Sequence, residues 1–514
     1  MEEGRRWATP KEAISSWPPR RVGSVVLILP GDFAGGTVSR WYAADTRPER
    51  PLRPQSAYAL EGETVITADE DVTENAAAAI LYGITDPEER LALHHVSLTA
   101  PVLNLAVAEN VLLYDSLKEK VFKNPEIGPE DIRYKRSYGT DELRQHIARL
   151  LKKTMSPVVE ADDVYATAGV SGALECLAFA LEQGKALKPG DRVLLPAPSW
   201  QGFKWCFEQR PGLQCVFAPL PVTGDNAFQL TLKALQDAYD KAKPHPKLLV
   251  LTNPNNPLGA NYSKELLESI YTWALTKTEM HIISDEMYAH SQIAKSKPGF
   301  HSAFTLDACK QHQDRVHVVW GLAKDFGLSG FRTGFVLSRS ALVRKAMRGG
   351  KGLKEMSWFS PLDSLKNVVV GKLFRTGEDK DAWYPEQLMR NVYPERLTKS
   401  YEAVKKALSK AGIPFLSNNA DNAAQFFFLD LHKYLDKVPE EEGDDTWLRV
   451  FPEIDDREER LRAYLETEAQ VQLLPGQTLF CPAPGYFRLC FTAYDQDKVV
   501  QAVDRIGAAL NKLG

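Results

Sequence analysis

The chain has 514 residues, 44% of them hydrophobic, and a net charge of −4 at neutral pH. That length can bury a large core and suggests more than one domain, while the near-balanced charge gives no signal for a polyanion such as nucleic acid. The apolar runs are strand-sized and interrupted, and residues 1–20 carry Glu2, Glu3, Lys11 and Pro18 where a secretory signal needs an apolar stretch, so a soluble cytoplasmic protein without membrane contact is expected.

In chain order, residues 1–98 are the hardest to read. Turn-rich Trp17-Pro18-Pro19 and Pro51-Leu52-Arg53-Pro54 precede an alanine-rich stretch, 74–82, with helical character. From residue 144 onward helices alternate with short apolar strands expected at 164–167, 192–195, 214–217, 247–251, 281–283, 316–320 and 333–337. Continuous aliphatic and β-branched runs separated by helical periods predict a mainly parallel sheet covered on both faces, with any ligand beyond the strand ends. After about residue 350 the character changes to amphipathic helices such as 394–411, followed by the apolar run Ala424-Gln425-Phe426-Phe427-Phe428-Leu429. The acidic stretches Glu440-Glu441-Glu442-Gly443-Asp444-Asp445 and Asp455-Asp456-Arg457-Glu458-Glu459 are expected to form a solvated insertion, and Arg348-Gly349-Gly350-Lys351-Gly352 a flexible connector. Cys176, Cys206, Cys215, Cys309, Cys481 and Cys490 form no CxxC pair and no His/Cys cluster at zinc spacing; reduced, mostly buried thiols and no metal are expected.

Lys324 follows the strand at 316–320 in Gly321-Leu322-Ala323-Lys324-Asp325-Phe326-Gly327-Leu328-Ser329-Gly330-Phe331-Arg332. A strand-end lysine with an arginine eight residues later across a glycine-rich turn can hold pyridoxal phosphate (PLP), the amine by a Schiff base and the guanidinium at the phosphate. Alone, such a lysine is more simply a solvated surface residue. Three further segments supply groups that the same cofactor requires: Thr252-Asn253-Pro254-Asn255-Asn256-Pro257-Leu258-Gly259, Ser284-Asp285-Glu286-Met287-Tyr288, and Pro484-Gly485-Tyr486-Phe487-Arg488-Leu489-Cys490-Phe491.

Together these segments resemble the fold-type I PLP enzymes of the aspartate aminotransferase superfamily, the class I and II aminotransferases. With Leu105-Ala106-Val107-Ala108-Glu109-Asn110 and Pro475-Gly476, the resemblance is closest to the 1-aminocyclopropane-1-carboxylate (ACC) synthase-like branch and covers roughly residues 100–510. It implies an α/β fold: a PLP-dependent transferase-like large domain at 144–350 with a mainly parallel mixed sheet, and a smaller α+β domain at 351–514 joined by an N-terminal segment at 99–143. Residues 1–98 are then an atypical extension.

The resemblance also implies roles. Asp285 keeps the cofactor's ring nitrogen protonated; Tyr288 and Asn256 donate to its phenolic oxygen; Trp200 stacks on its ring. Gly169, Val170 and Ser171, at a helix start, cradle the phosphate with Arg332. Arg488 grips the substrate α-carboxylate, Lys324 carries the cofactor and acts as general base, and Glu109 lies on the substrate side. A homodimer with shared active sites is implied, with Tyr138 reaching the partner's site or else lying in its own core.

Two positions depart from the family pattern. Gly321 stands where a phosphate-binding serine is usual, and Ser137 where ACC synthases carry a tyrosine, with Tyr138 one residue out of register. Transamination of an α-amino acid is the leading expectation. An ACC synthase-like elimination or γ-replacement on S-adenosylmethionine or a sulfur amino acid is the main alternative, and a non-catalytic PLP-binding regulator a minor one.

Overall fold

The computed structural model describes residues 102–293, 298–349, 354–377, 383–416, 423–439 and 455–514, with four short strands between residues 26 and 43. The chain divides into two compact units, Met1–Ala100 and Pro101–Gly514. In the first, Val26–Leu29 pairs antiparallel with Arg40–Ala43, and Asp32–Phe33 with Gly36–Thr37. The helical expectation at 74–82 and the acidic run 440–445 lie outside the described residues.

The second unit is built on a seven-stranded sheet. Its strands are β1 (Val164–Thr167), β2 (Arg192–Ala197), β3 (Gln214–Pro219), β4 (Leu248–Thr252), β5 (His281–Asp285), β6 (Val316–Gly321) and β7 (Gly334–Ser338). All seven fall on the expected runs, β1 without a shift and the other six shifted at their ends by one or two residues. The spatial order is β1-β7-β6-β5-β4-β2-β3, and β7 alone runs against its neighbours.

Side chains alternate between the two faces as the pleat demands. Leu248, Val250, Ile283, Val319 and Val336 join the core under α2 (Gly169–Gln183), α3 (Gly202–Glu208) and α6 (Ala341–Arg348). Leu249, Leu251, Ile282, Val318 and Leu337 join the core under α1 (Asp141–Thr154), α4 (Leu232–Lys241) and α5 (Lys264–Lys277). Thr140, Thr231, Ser263 and Ser340 cap α1, α4, α5 and α6 by accepting a first-turn N–H.

The reversal at β7 follows from chain length. A parallel neighbour needs a crossover helix, whereas residues 322–333 form a loop with a single short 3-10 turn. The loop therefore turns back at the end of the sheet where β6 finishes, and Lys324 and Arg332 stay together there. Gly321 and Gly334 face each other across this pair. A Cβ on Gly334 would stand 2.4 Å from the Gly169 carbonyl carbon and 2.5 Å from the Val170 nitrogen, so this glycine lets β7 press against the first turn of α2.

A three-stranded antiparallel sheet follows, with β8 (Phe426–Asp430) and β9 (Leu474–Pro475) flanking β10 (Tyr486–Cys490). It packs with α8 (Tyr393–Lys410), α9 (Asp456–Ala469) and α10 (Gln496–Lys512) into the core that continues from one face of the large sheet and that α7 (Ser364–Arg375) also joins. The acidic stretch at 455–459 corrects the expectation of a solvated insertion. It opens α9, where Glu458 is fully buried and accepts the Gln477 and Gly485 N–H groups at 2.9 and 2.5 Å, while Glu459 pairs with Arg462. These carboxylates serve as backbone and side-chain acceptors, which a count of charges in sequence does not reveal.

All six cysteines are free thiols, five of them buried. Among the described residues no helix is long and apolar enough to cross a membrane, and no cluster of three or more side chains is arranged to hold a metal.

Gly334→Ala is expected to destabilise the cofactor-free protein by about 1–3 kcal/mol, the usual cost of forcing atoms into a filled contact. Denaturant unfolding checks this; an unchanged midpoint would mean that β7 withdraws from α2 without cost.

Candidate active site

The carboxyl-terminal ends of β4, β5 and β6, the start of β7 and the middle of β10 converge on one region. Asp285 closes β5, and its buried carboxylate accepts the Met287 N–H at 3.2 Å and lies 3.4 Å from the Thr252 hydroxyl. Burial raises its pKa from 3.8 to about 7, against those two donors and the Lys324 ammonium. Among the described residues no lysine or arginine forms an ion pair with it. A buried carboxyl so placed fits a protonated ring nitrogen, which would restore its charge.

Lys324 donates to the Ala108 carbonyl at 2.5 Å. Burial holds its amine below the usual lysine range, Arg488 and Arg332 act in the same direction, and Glu109 and Cys490 oppose them. Glu109 itself accepts the Ser329 hydroxyl. Tyr288 is buried edge-on against Phe426, ring centres 5.3 Å apart, and burial pushes its phenol up against the pull of Arg488.

Arg488 reaches across from β10. Its guanidinium lies 4.4 Å over the Phe426 ring and donates to Asn256 Oδ1 at 2.7 Å and to the Ala106 carbonyl at 2.5 Å, while Nε has no partner among the described residues. Only 4% of the residue is exposed, and among the described residues no carboxylate pairs with it. Both oxygens that it meets are neutral. An anion is what such a buried cation lacks.

The first turn of α2 starts at Gly169, in a left-handed conformation with φ 82°. The Arg332 guanidinium occupies the space that a Cβ would need there, 2.6 Å from Nη2. The first-turn N–H groups have no carbonyl of their own helix to bond, so Gly169, Val170, Ser171 and Arg332 together form a setting that fits a phosphate. The Ser171 hydroxyl also meets the Cys206 thiol, which burial pushes up to about 12. Gly321 explains itself: a Cβ at this position would stand 2.8 Å from the Thr333 carbonyl oxygen and 3.1 Å from Gly334 Cα, so a serine does not fit with the chain as it lies.

Trp200 and Tyr138 meet neighbours of their own chain. The half-buried Trp200 ring covers Gly202 and meets Phe203 and Trp205 edge-on at 5.4 and 6.5 Å. Tyr138 is held in its own chain between the guanidinium groups of Arg144 and Arg348, each 5.3 Å from its ring. Ser137 is buried and bonds Glu355 and Ser357.

Sequence reasoning missed Asn110, whose amide donates to the Lys324 carbonyl at 2.7 Å, and Gln425, which donates to the same oxygen at 3.0 Å. It also missed Ser360, whose hydroxyl accepts the Ala168 N–H at 3.0 Å beside the phosphate setting. Gln425 was detectable as the lone polar residue in an apolar run. Ser360 carries no local signal.

The family described as aminotransferase class I and II matches residues 100–506, and the chain belongs to it. The ACC synthase of Nicotiana tabacum is 30% identical over 426 residues, covering 79% of this chain and 78% of that protein. The ACC synthase CMA101 of Cucurbita maxima is 27% identical, covering 83% and 85%. Among solved structures, the aromatic aminotransferase of Pyrococcus horikoshii superposes with a TM-score of 0.60 at 22% identity, covering 83% of this chain and all of that one. An aspartate aminotransferase variant of Thermus thermophilus gives 0.56 at 20%, covering 80% and 98%. These two show the fold. The chain is a PLP-dependent enzyme, an aminotransferase or an ACC synthase-like lyase, acting on small amino-acid substrates.

The position of Asp285 has a consequence for stability. Well below pH 3.8 the carboxyl is protonated in folded and unfolded chains alike. Between 3.8 and about 7 only the folded chain keeps the proton, so stability falls as pH rises through that window, by up to about 4 kcal/mol. Asp285→Asn is therefore expected to stabilise the cofactor-free protein at pH 8 and to change little at pH 4. Denaturant unfolding at both pH values checks the sign, and a variant weaker than wild type at pH 8 would contradict uncompensated burial.

Proposed function

We propose that the enzyme transaminates an α-amino acid, with the substrate carboxylate on Arg488 and the Cα proton moved by Lys324. The observation that carries this reading is the buried Arg488 guanidinium, held by two neutral oxygens and lacking an anion. A carboxylate there replaces a weak arrangement with a two-pronged, charge-assisted one. It also fixes which bond at Cα faces the lysine.

Bound PLP supplies the electron sink that makes the Cα proton removable. Lys324 would carry it, Asp285 would pair with its ring nitrogen, Tyr288 and Asn256 would meet its phenolic oxygen, and Gly169, Val170, Ser171 and Arg332 would hold its phosphate. Trp200 would stack on its ring. The depressed Lys324 amine suits a general base, because its neutral form is the one that accepts a proton.

Glu109 favours a second reading. Its carboxylate acts on Lys324 from the substrate side, and a fixed negative charge there suits a substrate with a cationic side chain, such as a sulfonium that leaves by elimination or replacement. The curated ACC synthase relatives support this alternative. Transfer of labelled nitrogen from a donor amino acid to an added keto acid separates the two: transamination requires the acceptor, elimination proceeds without it.

Arg488→Ala is expected to lower kcat/KM for α-amino acids by roughly 2–5 kcal/mol, the scale for truncating one member of a buried charged pair. The variant should also lose the wild type's preference for amino acids over the corresponding decarboxylated amines. A preserved preference would remove Arg488 from the carboxylate.

We also infer a homodimer that completes each site from two chains. Trp358 and Phe359 are exposed on a turn whose end, Ser360, is bonded to Ala168 beside the phosphate setting, and Ile132, Tyr134 and Leu365 are exposed as well. Apolar side chains of this size on one chain suit a second copy. Tyr134, fully exposed, is better placed to reach a partner than Tyr138. Sedimentation should give twice 57.5 kDa, and Phe359→Glu should shift the protein toward monomer; a monomeric wild type would overturn the inference.

A further inference from the structure

Asp325, the residue after Lys324, is completely buried, and its carboxylate gathers four donors. Oδ2 accepts the His290 backbone N–H at 3.1 Å, His290 Nδ1–H at 3.0 Å and Trp320 Nε1–H at 3.2 Å, and Oδ1 accepts the Ser291 hydroxyl at 2.7 Å. The remaining protons can be traced from there. Ser291 spends its only proton on Asp325, so it accepts from the Tyr393 hydroxyl at 2.7 Å. Tyr393 accepts in turn from Gln425 Nε2 at 2.8 Å, and the other Gln425 N–H goes to the Lys324 carbonyl at 3.0 Å. The chain of bonds thus begins at one end of the Lys324-Asp325 pair and returns to the other. A flipped Gln425 amide would set oxygen against the Lys324 carbonyl, which fixes its orientation.

His290 extends the network. The Thr154 hydroxyl, which donates to the Leu150 carbonyl at 2.8 Å, stands 2.7 Å from His290 Nε2. The groups come from the end of α1, the turn after β5, the start of α8 and the turn before β8. Elements of both sheets therefore determine where the lysine backbone stands.

We propose that Asp325, clamped by His290 and by the Gln425–Tyr393–Ser291 chain, is a positioning residue that sets the place of the Lys324 amine. The proposal rests on Lys324 being the cofactor lysine. That amine must serve two positions, the cofactor's reactive carbon and the substrate Cα, and an error of about 1 Å in such a step costs about 100-fold. Asp325 touches neither substrate nor cofactor; it acts through the backbone that it shares with Lys324.

The test uses PLP-loaded full-length protein, with borohydride trapping of PLP on lysine, read without substrate, beside steady-state turnover. Asp325→Asn is expected to lower kcat about 100-fold with the KM for the amino acid unchanged, and to slow trapping at Lys324. His290→Asn, which keeps a donor where Nδ1 stands, should retain most of the turnover that His290→Leu loses. Gln425→Met, which keeps volume and adds no charge, should lower kcat about 10-fold and carries the test if Asp325→Asn does not fold. Folded variants with wild-type kcat and trapping rates, or a change confined to KM, would overturn the proposal. Trapping of wild type at another lysine would overturn the functional reading and this one with it, whereas trapping at Lys324 with unaffected variants would overturn this one alone.

Discussion

Asp285 and Arg488 are buried and Lys324 is half-buried in one region, and among the described residues none of the three forms an ion pair. The carboxyl is driven up, the amine and the guanidinium down, each chiefly by burial. Bringing the three together costs folding free energy, and the extensive apolar cores around the two sheets offset it. What the arrangement provides is readiness for a ligand that supplies a cationic ring nitrogen, an aldehyde and, with the substrate, a carboxylate.

The fold achieves this through connections rather than through any single element. Asp285 ends β5 and Asn256 follows the adjacent parallel strand β4, so both stand at the same end. Lys324 and Arg332 share a loop too short for a crossover, which holds both at that end. Arg488 arrives from the other sheet, where pairing with β8 on one side and β9 on the other fixes its strand. Its bond to Asn256 then joins the two sheets through the site itself.

Much of this was legible in the sequence, for physical reasons that differ by residue. The strands announced themselves because buried parallel strands must be apolar throughout, and Leu248 to Leu251 leaves little choice. Lys324, Asp285 and Arg488 were legible as candidates because each chemical requirement fell at a strand or strand end in a recognisable order. Glu458 was misread because exposure was assigned from charge, and the acceptors needed by the loop N–H groups of Gln477 and Gly485 are a tertiary demand. Trp200 and Tyr138 lie where no local pattern decides, since ring orientation depends on neighbours such as Phe203, Arg144 and Arg348.

The two departures from the family pattern fall on the same side of the site. Gly321 faces Gly334, and Gly334 presses on Gly169, so the missing hydroxyl and the close approach of the helix start belong to one packing arrangement. Ser137 turns inward to Glu355 and Ser357, on the segment whose next anchor, Ser360, bonds Ala168 immediately before that helix. Asp285, Tyr288, Asn256, Lys324 and Arg488, by contrast, are the residues that the resemblance implies for the ring and the substrate carboxylate. The end of the candidate site suited to a phosphate is thus built on close backbone contact. Anchorage can be exchanged between neighbouring donors with little loss, because any N–H or guanidinium of suitable geometry serves a phosphate. The protonation of a ring nitrogen and the orientation of one Cα bond admit no such exchange.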